Sequence, residues 1–184
     1  MKKRILIIFI SFLFFVKPKL SFAENWEPIL QVSPILTKNI HLLGTRMKEV
    51  LSKFRGQNEK HLQNLKTITS FRTALPIEVC IKSLDEMFKH SIEFAKIMKE
   101  YAYLDELMTY LISLQQNILA VQLLLTYNPN LKGSKSVKNI IKFAINQSLT
   151  SIEKTLKDED LSYESFSVVR KIKSDLEEVL VILQ

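Results

Sequence analysis

Turn-formers are scarce in this chain. Glycine occurs only at Gly44, Gly56 and Gly133, and of five prolines four follow residue 23: Pro28, Pro34, Pro76 and Pro129. A β-rich fold needs turn residues every ~8–12 positions, so this scarcity excludes a sandwich or barrel. The single cysteine, Cys80, excludes an internal disulfide, and its setting in Val79-Cys80-Ile81 reads as a small buried hydrophobe. Also missing are a glycine-rich phosphate loop, Gly-x-Ser-x-Gly, His-Glu-x-x-His and Cys-x-x-Cys. Nucleophilic chemistry would fall to Cys80 and one of three histidines, with no base beside it in sequence. The adjacent carboxylates Asp105 and Glu106 point to different faces of a helix. We therefore expect a protein that is not an enzyme and needs no cofactor.

Acidic residues are absent from the first 23 positions, which hold Lys2, Lys3 and Arg4, then twelve apolar or hydroxyl residues from Ile5 to Val16. As a helix that run reaches about 18 Å against a hydrocarbon core of roughly 30 Å, too short to span. Extending it to Ala23 would bury Lys17 and Lys19, each costing about 2.5–3.5 kcal/mol at mid-bilayer. Small residues at Ser21 and Ala23 then mark a cleavage site between Ala23 and Glu24. Residues 1–23 read as a signal peptide and 24–184 as one domain, exported to a periplasm or the medium by a bacterial route.

Removing the leader also changes the charge. Five of the 26 bases lie in it, while all 19 acids follow it, so the formal +7 becomes +2. Nucleic-acid binding needs a concentrated basic surface, and none is expected.

What the chain has is apolar spacing of helical period. Ser33-Pro34 reads as an N-cap and first helical residue, followed by a stripe at Leu36, Ile40, Leu43, Met47, Val50 and Phe54. The same frame then turns polar at Gln57, His61 and Asn64, with a break expected near Gly56. A second helical region covers about Ile77 to Tyr127, with Ile81, Leu84, Phe88, Phe94, Ile97, Tyr101, Leu104, Met108 and Leu111 on its buried side and a bend near Tyr101. Asn128-Pro129-Asn130 and Gly133 form a turn. A third helix follows from Lys135 to about Lys157, and a fourth opens after Asp158-Glu159-Asp160 with Ser162 as cap and a stripe at Phe166, Val169, Ile172, Leu176, Leu180 and Leu183. The expected fold is all-α, an antiparallel bundle of about four long amphipathic helices.

Five stretches of the sequence are candidate sites. Residues 107–127 carry no charge, yet Gln115, Gln116 and Asn117 stand at their centre, which suits a bundle helix better than a membrane span. Asp85, Glu86, Lys89, His90 and Glu93 offer metal-ligand types, but the alternating charges describe a solvated face, as does the basic excess at Arg46, Lys48, Lys53, Arg55 and Lys60. Lys132, Lys135, Lys138 and Lys142 lie where no acid occurs between Glu106 and Glu153, forming a candidate basic face for a partner. The polar gap at Gln57, His61 and Asn64 is the other candidate. The chain thus reads as an exported helical protein that binds a protein partner or serves structurally in the envelope. Two rivals stand beside that: a membrane-associated protein, held by an uncleaved anchor or inserting residues 107–127, and a metal-binding or hydrolytic bundle.

Overall fold

The structure is a computed structural model that describes residues 26–70, 77–128, 135–158 and 160–184; the side chains of 64, 65, 67–70, 77, 80, 135 and 136 fall outside that description. Among the described residues it is all-α, with four helices: α1 Glu27–Ser70, α2 Ile77–Tyr127, α3 Lys135–Thr155 and α4 Tyr163–Ile182. Neighbours in sequence pack as neighbours in space, α1 on α2, α2 on α3, α3 on α4, and α4 closes the ring on α1. Cross-links of antiparallel sense tie each pair, such as Gln115 on α2 to Ser33 on α1 and Lys38 on α1 to Asp175 on α4.

Helix length decides the shape. At 1.5 Å per residue α1 and α2 run about 66 and 76 Å, whereas α3 and α4 run about 30 Å. The short pair therefore covers only one half of the long pair. Among the described side chains every buried apolar residue of α1 lies between Ile29 and Val50, and every one of α2 between Leu104 and Val121. There Leu36, Leu43, Leu111, Leu114 and Ile118 meet Ile145 and Ile152 of α3 and Ile172 and Leu176 of α4. Beyond that core, residues 51–70 and 77–95 project as a two-helix arm.

Three expectations need correction. Ser33 is not an N-cap, because α1 starts seven residues earlier, at Glu27, with Trp26 O accepting from the N–H groups of Ile29 and Leu30. Burial of Ile29 and Val32 draws that turn into the helix, while Pro34 is exposed on the outer side and loses only one backbone bond. Neither Gly56 nor Tyr101 breaks its helix, since both lie where α1 and α2 support each other: Phe54 and Phe94 stack with centroids 4.5 Å apart. Finally, Ile81, Leu84 and Phe88 are not on a buried side. They are 61%, 48% and 70% exposed, because a pair of helices has only one seam and, among the described residues, no third helix reaches this far. Pro76 and the Pro129 turn lie outside the described residues.

Candidate functional site

Where the core ends, α1, α2 and α4 meet at a layer of polar side chains. Arg46 and Glu100 are 4% and 7% exposed and form an ion pair at 3.1 Å. The remaining guanidinium N–H groups donate to Ser165 Oγ at 2.7 Å, Ser162 Oγ at 2.8 Å and Glu49 Oε2 at 2.7 Å. Both serine hydroxyls donate in turn to Glu100 Oε1, that of Ser162 at 2.6 Å. Burial opposes the charge on Arg46, but Glu49 and Glu100 outweigh it and hold its pKa above the ordinary value. The layer also builds α4: Ser162 is its N-cap, in extended backbone geometry, and accepts from the N–H of Ser165. Buried charge of this kind is stable only when fully paired, and here the pairs fix where the α3–α4 connection sits on the long helices.

Beside that layer a second cluster ties the connection to α2. Lys99 reaches Asp158 at 2.9 Å and Asp160 at 3.1 Å, Lys96 reaches Asp160 at 3.5 Å, and Tyr103 donates to Asp158 at 2.7 Å. Tyr103, then Lys99, then the Asp160 backbone N–H lower the Asp158 pKa to about 2.

The projecting arm is held along its seam by Phe54, Phe94 and Ile97, and by Gln57 donating to Glu93 at 2.8 Å. At its root an apolar groove of about 200 Å³ is lined by Val50, Leu51, Phe54, Ile97, Met98 and Tyr101. One turn further out, Gln57, Asn58, His61, His90, Ser91 and Phe94 line a second recess of about 240 Å³. The polar gap seen in the sequence thus becomes a real opening in the seam. Two of its atoms, Gln57 Oε1 and His90 Nδ1, are buried without a hydrogen-bond partner, the latter 3.9 Å from Glu93.

The outer surface of the arm carries much exposed hydrocarbon. Val79, Ile81, Leu84, Phe88 and Ile92 on α2 and Leu51 and Leu62 on α1 are all exposed, with Met98 just below on α2. Sequence reading missed this, and the signal was in the spacing: Leu84, Phe88 and Met98 each stand one residue past the half-buried seam positions Ser83, Met87 and Ile97, and Ile81 stands seven before Phe88. The arm part of α2 thus has two apolar stripes, one in the seam and one exposed.

The other sequence-derived sites fare differently. Gln57 and His61 come together as described, whereas the side chain of Asn64 is outside the described residues, as are Ala23, Glu24 and Lys132. Lys135 opens α3, its side chain likewise outside the description. Lys138 and Lys142 are half-buried, and Lys138 donates to the Gln184 carbonyl at 3.4 Å, at the C-terminal end of α4 where a cation is favoured. The exposed face of α3 instead shows Ile140 and Phe143. Arg46, grouped by sequence with a solvated basic excess, is a correction: it is buried. Lys89 pairs with Asp85 at 2.6 Å, and among the described residues no group of three or more His, Cys, Asp or Glu could hold a metal ion. Within residues 107–127, Leu107, Leu111, Leu114, Ile118 and Val121 are core, and Gln115 donates to Ser33 and Thr37.

Comparison of this chain with known protein families, with curated proteins and with solved structures finds no match.

Proposed function

We propose that this is an exported, non-enzymatic interaction protein, in which the four-helix section is a rigid base and the projecting α1–α2 arm is the surface that meets a protein partner. One observation carries this: seven large apolar side chains stand exposed on an arm that no other helix covers among the described residues, Phe88 at 70%. Burying that much hydrocarbon is the main return of protein association, at about 25 cal/mol per Å² before the costs of ordering. The base contributes precision. Its Arg46–Glu100 layer sits at the root of the arm and sets the direction in which the two helices leave the bundle.

A photo-cross-linking side chain at position 88, with position 163 on α4 as control, tests this in the native host. Tyr163 is 83% exposed but lies on the base. A protein adduct at 88 and none at 163 is the expected result; adducts at neither, or at both alike, overturn it.

A second reading has one supporting observation: within Ile81–Tyr127 α2 contains a stretch long and apolar enough to cross a bilayer, only 28% of it buried. On that reading the exposed side of α2 lies against lipid. Flotation with neutral and anionic vesicles separates the two, since the interaction protein should stay in the aqueous fraction.

A further inference from the structure

The two halves of the arm carry opposite charge. Residues 51–70 of α1 hold Lys53, Arg55, Lys60 and Lys66 against Glu59, net +3, while residues 77–95 of α2 hold Glu78, Asp85, Glu86 and Glu93 against Lys82 and Lys89, net −2. Most of their exposed apolar side chains share one side. Lys96, Lys99 and Glu100 turn toward the α3–α4 connection and α4. At 3.5 residues per turn, Ile81, Leu84, Phe88 and Met98 then lie on the flank of α2 facing away from α3 and α4, and Leu51 and Leu62 on the matching flank of α1. These six are between 39% and 70% exposed. Together they offer on the order of 600 Å² of apolar surface per copy, close to the ~800 Å² per partner of a stable interface of standard size. The front of the arm, by contrast, carries Lys82, Glu86, Lys89 and Glu93 and is suited to water.

We propose that the occupant of this back surface is a second copy of the chain. Two arms pack back to back about a two-fold axis along their length, α1 of each lying on α2 of the other. The pairing is isologous, so it closes at two copies. With the front charges set aside, namely Lys53 and Lys60 in seven-residue step with Arg46 and the self-cancelling Lys82, Glu86, Lys89 and Glu93, it sets Arg55 and Lys66 of each α1 on the α2 that keeps Glu78 and Asp85. Laying α1 on α1 would instead oppose base to base. In this way the arm acquires the four-helix cross-section that α3 and α4 give the base. This inference rests on the arm being an interaction surface, and it names the partner.

Sedimentation equilibrium of the processed protein recovered after export tests it. A concentration-dependent monomer–dimer mass is expected, with Phe88→Asp monomeric at all concentrations and Tyr163→Asp unchanged. Two charge variants sharpen the test, each checked by circular dichroism for full helicity. One carries Arg55→Glu and Lys66→Glu; the other carries Glu78→Lys and Asp85→Lys. Each alone should be monomeric, because both halves of its arm share a sign, and the mixture should form a one-to-one dimer. A monomeric wild type, a dimer that survives Phe88→Asp, or a mixture that fails to pair would overturn the second copy as occupant. A monomeric wild type whose position 88 still cross-links another protein removes the second copy and keeps the interaction surface; a monomer with no adduct at 88 removes both.

Discussion

Arg46 and Glu100 decide more than any other pair of residues here. Removing one member leaves the other buried and unpaired, so Glu100→Ala should lose about 3–5 kcal/mol in denaturant unfolding, and Arg46→Met with Glu100→Leu together should recover most of it. Nothing in the sequence near Arg46 announces this. Its partners stand 54 and 119 positions away, and a run of nearby lysines disguises it as surface. Asn39 is the converse case, wholly buried with neither amide atom paired. Asn39→Leu keeps the branched heavy-atom shape and removes the unpaired amide, so a gain of up to about 1–3 kcal/mol in denaturant unfolding is expected, less the strain of its bulkier methyl groups. Asp158 sets the acid limb of stability. Its pKa is depressed to about 2 when folded, from an ordinary value of about 3.9, so its contribution is complete above the ordinary value and is lost as pH falls toward 2. Stability measured against pH should therefore flatten across that interval in Asp158→Asn, with little change at neutral pH in the slope.

At the level of elements, the helices themselves were legible and their surroundings were not. The extents of α3 and α4, the stripe of α4, the Ser162 cap and the run of α2 to Tyr127 all follow from the sequence, because a short amphipathic helix has one face to bury and shows it. For α1 and α2 the same rule misled. Leu84 and Phe88 keep helical spacing whether the thing they meet is inside the chain or outside it, and periodicity does not distinguish the two. Gly56 misled for a related reason: propensity disfavours it, but a packed partner helix overrides propensity. An added Cβ at Gly56 would meet nothing within 4 Å. Gly56→Ala should thus stabilise the arm by roughly 0.5–1 kcal/mol through the unfolded chain. Hydrogen exchange should slow across residues 51–62 and 85–96, while the melting of the base stays put; an unchanged arm would mean that the helix there is already frayed.

On the scale of the whole molecule, the packed core and the proposed recognition surface lie on different halves of the same two helices. The base has the core, the caps and the paired charges, whereas the arm has one seam, an open polar recess and an uncovered apolar side. No member of the Arg46–Glu100 layer lies beyond residue 51 of α1 or before residue 96 of α2. Replacing residues 52–95 by a short turn of about 2–5 residues, the length that joins antiparallel neighbours, should leave the base folded. Its melt should remain cooperative, with Tm within several degrees of the parent, since about 1 kcal/mol moves Tm by some 2–4 °C at this size. Self-association and cross-linking through the arm should disappear together. A shortened chain that loses cooperative melting would mean instead that the long hairpin nucleates the bundle, and that α3 and α4 dock on a scaffold which needs its full length.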